Sequence, residues 1–371
     1  MSDLSEIPEI HFQTLIDALF DIDNPFNPRF LFRLSDLDDE DLSLFLETWP
    51  QLPLWRQKAL LEDLQEMGNT DDLLSFESIG RNMVSDDDPH IRHLAVKILW
   101  ESDHRDLIPV FIQLLESDPG ADVRAAAAFG LGQFVYLGEL DLLPEGMRRE
   151  LEDRLLLAIR EDQASLVQRR ALESVSYSSR SEIPELIDTA FASQDHEMMA
   201  SALTAMGRSM DSRWKNTVLS MLNNKLPIIR AEAARAAGEL EIKDAISTLV
   251  ELTEDSEENV RQAAIWSLSE VGGDRARHTL ENLIQEAEDD READFLENAL
   301  GNLAFIDGLE PFSLLDIPKE SPEDELLEVL IAQDHARELQ DNGGYNSDLE
   351  EEHSDILDNA EFNDEGKDFQ D

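Results

Sequence analysis

His90 and His93 stand three residues apart beside Asp86, Asp87 and Asp88, a spacing that can set two imidazoles on one helical face near carboxylates and so open a metal site. Read without a metal, the pair are surface residues at the start of a helix, and that is the expectation adopted. The run Asp36-Leu37-Asp38-Asp39-Glu40-Asp41, followed by Glu47, places acids at positions 1, 3, 5 and 12 of a calcium-binding loop. Asp41, however, fills the sixth position, where the turn requires glycine, and Leu42, Phe45 and Leu46 continue as an apolar helix face, so a charged helix start is the better reading. Gly130 and Gly132 follow no strand, no Gly-Lys-Ser/Thr is present to cradle phosphate, and Ser and His occur without a nucleophile elbow. The absence of cysteine removes thiol nucleophiles, Cys-ligated zinc, iron–sulfur clusters and disulfides together. The expectation is a protein that is not an enzyme, with no catalytic residue, no cofactor and no metal.

The chain has 371 residues, with Lys plus Arg 30 against Asp plus Glu 83, a formal charge of −53, and an apolar fraction of 42%. That combination describes a folded protein with an acidic surface and not a disordered polyelectrolyte. A field of this sign repels phosphate backbones and anionic lipid, which argues against nucleic-acid and membrane partners and leaves a basic or neutral protein partner that the sequence does not identify. Met1 to Glu6 lack the basic and apolar regions of a signal peptide, and no apolar run approaches ~18 residues, so a soluble, cytoplasmic chain is expected, with a monomer favoured.

The elements that would position a binding surface show as a repeat. Val167, Met198, Ile229 and Val260 are spaced by 31 residues, and each is followed four residues later by alanine: Ala171, Ala202, Ala233 and Ala264. Apolar residues recur at the fifth and eighth offsets as well, among them Leu172, Leu203, Val175, Met206 and Leu268, so offsets 0, 4, 5 and 8 form one helical stripe. Ile91 with Ala95 and Val123 with Ala127 extend the register upstream, and Trp55 with Ala59 makes a looser seventh copy that has Asp63 at the eighth offset. Five residues before the six better anchors stand Asp86, Asp118, Asp162, Ser193, Asn224 and Asp255, small polar residues suited to turns and caps. A second helix of each pair is read from Ile187, Val218, Leu249 and Leu280, again 31 apart. Alanine at a fixed offset has a steric meaning, because a side chain that small lets neighbouring helices approach closely at every step of a superhelix. Arg291 and Phe295 take the next register point, which makes 287–306 an atypical terminal copy. From Val123 to Val167 the spacing is 44, so 13 residues are inserted, placed near Tyr136 to Met147 around Gly138, Pro144 and Gly146.

These residues resemble the HEAT-repeat family, including the HEAT-like repeats named after phycobilisome lyases. The family's Asp, Val-Arg, Ala signature stands here as Asp118 with Val123-Arg124 and Ala127, as Asp86 with Ile91-Arg92 and Ala95, and as Asp255 with Val260-Arg261 and Ala264. Ile229-Arg230 keeps the arginine behind Asn224, whereas Gln168 and Met199 replace it. The resemblance implies an all-α, right-handed αα superhelix of about seven to eight hairpins, an armadillo-like solenoid, with an Asp–Arg ladder interrupted at Gln168 and Met199. The HEAT-like deoxyhypusine hydroxylases hold iron through several His-Glu pairs. The single pair His196-Glu197 cannot supply such a centre.

The domain reading assigns 1–35 to an N-terminal capping helix and linker, with Ile10, Leu15, Ile16 and Leu19 on one helical face, and 36–315 to the solenoid. A possible docking helix follows at 316–340 behind Ser321-Pro322-Glu323-Asp324, and 341–371 reads as a disordered acidic tail, solubilising by default, with twelve acids against Lys367.

Acid is missing from one stretch. Arg148 to Arg235 holds 13 basic and 13 acidic residues, so the whole −53 lies elsewhere. If offsets 0, 4, 5 and 8 face the core, offsets 2, 3, 6 and 10 face the inner surface, where they present Phe129, Arg169, Arg170, Tyr177, Arg208, Arg235 and Trp266. Exposed aromatics and arginines have the composition of interaction hot spots. The competing expectation buries Phe129 under the insertion and Trp266 on a neighbouring helix, and pairs the arginines with nearby acids. The function read from these residues is a scaffold that binds a protein segment in its concave groove. The alternatives are an acidic chaperone or nucleic-acid mimic acting on a basic client, a lyase-like accessory subunit, and an acidity that reflects a salty habitat.

Overall fold

The computed structural model describes residues 11–22, 24, 26–71, 73–287 and 289–309. The chain divides into units 1–310 and 311–371; the second unit, with the docking helix and acidic tail expected there, lies outside the described residues, as does Ile10.

The described residues contain helices and no strand. In chain order the helices are α1 (Phe12–Phe20), α2 (Arg29–Phe32), α3 (Asp39–Thr48), α4 (Leu54–Gly68), α5 (Glu77–Met83), α6 (Pro89–Ile98), α7 (Leu107–Ser117), α8 (Ala121–Glu139) and α9 (Glu145–Glu161). They continue as α10 (Ser165–Val175), α11 (Ile183–Phe191), α12 (His196–Arg208), α13 (Lys215–Met221), α14 (Pro227–Glu239), α15 (Ile246–Leu252), α16 (Glu258–Val271), α17 (Asp274–Glu286) and α18 (Asp290–Leu309). Even-numbered helices from α4 to α18 carry the repeat anchors, and each packs on the next even-numbered one. Each odd-numbered helix from α5 to α17 leans on the anchor helix that follows it, while odd-numbered helices meet one another far less. A stack with one layer more closely spaced than the other curves toward the tighter layer, so the anchor helices line its inner side.

The close spacing follows from side-chain size. Ala95, Ala127, Ala171, Ala202, Ala233 and Ala264 are all fully buried, as are Leu131, Val175, Met206, Ala237 and Leu268 at the eighth offset. Gly207 and Gly238 bring the helices closer still, since a Cβ on either would lie 3.0 Å from the Cα of Ala236 or Ser267 on the next anchor helix. Buried hydroxyls join the same seam, with Ser267 Oγ donating to the Ala234 carbonyl at 2.7 Å.

Four details of the repeat differ from the sequence reading. The anchor helix is the second of its hairpin, because the short turn bearing Asp118 or Asp162 joins α7 to α8 and α9 to α10. The loose first copy is shifted by one residue: Leu60, Leu61 and Leu64 are buried in α4 while Trp55 and Asp63 are exposed, so leucine and not Ala59 sits at the close-approach position. The insertion is helical and not a loop. It lengthens α8 to Glu139 and starts α9 at Glu145, with the chain turned between them by Asp141 at φ 59°. In α18 the packing on the stack comes from Leu296, Ala299 and Leu303, with Phe295 only half-buried. The charged start of α3 is as expected, its cap being the Asp38 carboxylate that accepts the Glu40 and Asp41 amides.

A polar spine ties successive units. All six residues five before an anchor accept the amide two residues on at 2.8–3.1 Å, which fixes each turn. Arg92, Arg124 and Arg230 then reach forward, each giving Nε and Nη2 to both oxygens of Asp118, Asp162 and Asp255 at 2.7–3.0 Å, and Nη1 back to the carbonyl of its own turn residue. Gln168 keeps only the backward bond, to the Asp162 carbonyl at 2.8 Å. At the front of the stack Trp49 Nε1 takes the arginine's place on Asp86, while Arg56 is drawn to the Asp21 carbonyl beneath α1.

Candidate protein-binding groove

The stacked register makes one offset on successive anchor helices a row across the inner face. Phe129, on α8, is half-buried with its ring centroid 4.4 Å from that of Trp100, whose indole Nε1 donates to the Ala126 carbonyl. Arg208, two anchor helices on, lays its guanidinium 5.5 Å from the Phe129 ring and 5.2 Å from that of Tyr177, and Arg170 covers Phe129 from 5.8 Å. Tyr136 meets Tyr177 edge-on at 5.5 Å. A cavity of about 310 Å³ opens here, walled by Trp100, Phe129, Tyr136, Tyr177 and Arg208. Cations held over aromatic faces leave their N–H edges free for acceptors, so this end of the groove combines apolar walls with positive charge.

Phe129 therefore packs against Trp100 and the two arginines and not under the insertion. The arginines also find acids within the groove. Arg170 donates to Glu173 at 2.6 Å, and the buried Glu173 further accepts Ser201 Oγ at 2.5 Å and, through its carbonyl, Arg208 at 3.1 Å. Arg235 is exposed and paired with Glu232, which also accepts Thr204 Oγ1 at 3.1 Å. Trp266 is 41% exposed, and its Nε1 donates along α16 to Glu270 at 3.1 Å. Arg169 stands apart from the other six, bonded at 2.7 Å to Glu197 at the opening of α12.

The sequence reading took aromatics and cations from offsets 2, 3, 6 and 10 and passed over the acids at three of those offsets: Glu232, Glu173, Glu239 and Glu270. Their positions were the available signal. Burial pushes the Glu239 carboxyl up to about 7, with Arg208 pulling it down and Glu270 and Glu232 pushing it further up. Glu232 and Glu270 are raised by burial as well. The groove thus runs from an aromatic and cationic end on α8–α12 to an acidic end on α14–α16.

The histidine pair serves separate partners, His90 Nε2 lying 3.0 Å from Glu62 and His93 Nδ1 3.1 Å from the Asp122 carbonyl. Among the described residues no group of three or more His, Cys, Asp or Glu is placed to hold a metal, and no helix is long and apolar enough to cross a membrane.

Residues 80–154 and 216–300 match the family model described as HEAT repeats. No curated relative matches the chain. Among solved structures it is similar to YibA of E. coli at 17% identity, with a TM-score of 0.39, 74% of this chain and 96% of that one covered. It is also similar to the complex of CpcE and CpcF of phycocyanin lyase from a Nostoc species at 17% identity, with a TM-score of 0.41, covering 61% of this chain and 94% of that one. Human deoxyhypusine hydroxylase in complex with glycerol is 17% identical, with a TM-score of 0.32 and coverage of 70% and 95%. The matched segments, the 31-residue register and the all-helical stack agree, and the chain carries HEAT repeats over residues 80–154 and 216–300.

Proposed function

We propose that this protein is a non-enzymatic scaffold that holds a protein segment along the inner face of α8–α16, in contact with Phe129, Arg170, Tyr177, Arg208, Arg235 and Trp266 and with Arg169 at the rim. The observation that carries this reading is Arg208, whose guanidinium spans the rings of Phe129 and Tyr177 beside an open cavity. Aromatic and arginine side chains held rigid on helices lose little entropy when a partner covers them, which is why such residues anchor interfaces. The test uses the full chain as bait in cells that make it, with the purified partner then titrated at about 0.3 M salt, where exposed charges are largely screened. The groove reading expects binding to survive the salt and to weaken at least about tenfold with Trp266→Ala or Arg235→Glu. Binding that vanishes in salt and ignores both substitutions would make the net charge of −53 the active feature, acting on a basic client.

A further inference from the structure

The two ends of the groove differ in how their charges are satisfied. Glu173 and Glu232 each have an arginine on the same helix, and Arg170, Arg208 and Arg235 are all engaged on acids, carbonyls or rings. Among the described residues Glu239 and Glu270 form no ion pair, and Arg208 and Arg235 pull the Glu239 carboxyl down only from beyond ion-pairing distance. Glu239 Oε2 is buried without any hydrogen bond among the described residues, and Glu270 accepts from no described side chain but the Trp266 indole. The fold itself holds these two carboxylates in place. Gly207 and Gly238 leave the space into which they lean, since a Cβ built on either would come within 2.1 or 2.2 Å of the oxygen of Glu239 or Glu270. Two carboxylates on adjacent anchor helices, one beneath an exposed indole, form a subsite whose missing component is a cation: carboxylate oxygens to bond it and a ring face to cover it.

We propose that the segment held in the groove is an extended peptide carrying a lysine or arginine, whose cationic head sits between Glu239, Glu270 and the Trp266 ring while an apolar or aromatic side chain of the same segment fills the cavity beside Phe129, Tyr177 and Arg208. This rests on the groove reading above and names the occupant's chemistry. Neighbouring helices in such stacks lie about 8–10 Å apart. The aromatic cavity, lined mainly from α8 and reaching α12 at Arg208, is then roughly 15–25 Å from the carboxylate pair on α14 and α16, a span of about five to eight residues of extended chain. The order of charge along the groove also fixes which way the peptide runs, because a reversed segment would set its cation against Arg170 and Arg208.

The experiment is selection of random peptides, roughly twelve residues long and thus able to span the groove, on the immobilised full chain at about 0.3 M salt. The parallel selections use Glu239→Gln with Glu270→Gln, and Arg208→Ala with Trp266→Ala, each confirmed folded by its helical circular dichroism. Peptides selected by the native chain are expected to share a basic residue about five to eight positions from an apolar or aromatic one, and to bind the double glutamine variant at least about tenfold more weakly. In that variant the basic preference should disappear while the apolar preference persists. Selected peptides without a basic residue overturn the proposal, as does a basic preference that survives both glutamine substitutions, since it would then belong to the acidic surface at large. If the Arg208→Ala, Trp266→Ala variant selects the same peptides as the native chain, or nothing is selected at all, the groove reading fails with it.

Discussion

Arg124 on α8 grips Asp162, at the turn into α10, through two parallel hydrogen bonds of 2.7 and 3.0 Å, so that one side chain fixes the angle between two consecutive units. The pair is mostly shielded from water, and the guanidinium's third nitrogen is spent on the Asp118 carbonyl of its own turn. Bidentate pairs of this kind set geometry as well as energy. Arg124→Lys, which keeps the charge and loses the fork, is expected to destabilise the fold by roughly 1–3 kcal/mol in urea unfolding; no measurable change would mean that the small-residue seam alone sets the stacking.

The same ladder sets an acid limb. Hydrogen bonding to Arg124 and to Arg230 holds the carboxyls of Asp162 and Asp255 below the usual aspartate value of 3.8. A carboxylate depressed in the folded state contributes stability that is present above its unfolded pKa and is lost as pH falls through the folded one. The stability difference between the native chain and Arg124→Ala should therefore be constant from neutral pH down to about 4 and shrink below it. A difference that grows toward low pH would reverse the assignment.

Glu239 works in the opposite direction. Its carboxyl, pushed by burial to about 7 from 4.5, costs no stability while protonated, and the penalty grows as pH climbs between those values. The charged groups around it are Arg208 on α12, Glu232 and Arg235 on α14, and Glu270 on α16. Glu239→Gln is expected to be more stable than the native chain at about pH 8, by on the order of 1–3 kcal/mol, and to match it near pH 4.5. Equal stability across that range, measured by thermal or urea melts, would show that the carboxylate is solvated.

Ala202 and Gly207 lie where α12 approaches its neighbours most closely. Ala202→Leu forces an isobutyl group into a fully buried site and should cost roughly 1–3 kcal/mol or more, and Gly207→Ala should cost a comparable amount because its new Cβ meets the Ala236 backbone at 3.0 Å. Glu241 offers the reverse case. It holds φ 49° at the end of α14, where its amide bonds the Gly238 carbonyl at 2.7 Å and the next amide returns to Ala237, so Glu241→Gly is expected to stabilise by about 0.5–1 kcal/mol.

The architecture was readable because the repeat is carried by sterics. Alanine at one offset and a capping residue five before the anchor leave a periodic trace, and the forward reach of Arg92, Arg124 and Arg230 ran where the family resemblance implied, broken at Gln168. The first unit hid its register because Leu60 replaces the small residue that marks the six copies from Ile91 to Val260, and Trp49 supplies the ladder bond from a different element. The insertion disguised itself as a loop because Gly138 and Gly146 suggested turns, whereas Gly138 lies where α8 meets the Arg148 side chain of α9, with only 2.8 Å between that side chain and a built Cβ. In the groove, Phe129, Tyr177, Arg208 and Trp266 were visible from offset alone. Their acidic neighbours occupied the same rows and went unread, because an excess of acid over the whole chain made single glutamates look ordinary. Which of them form no ion pair depends on rotamers and interhelical distances that periodicity does not encode.

The measurement that bears most directly on the groove is the affinity of the purified partner for Trp266→Ala at about 0.3 M salt, with the melting temperature recorded alongside. Trp266 is 41% exposed and its Nε1 bond runs within α16, so the substitution should change melting far less than binding, which is expected to weaken at least about tenfold. An unaltered affinity at that salt would place the partner elsewhere on the molecule and contradict the account.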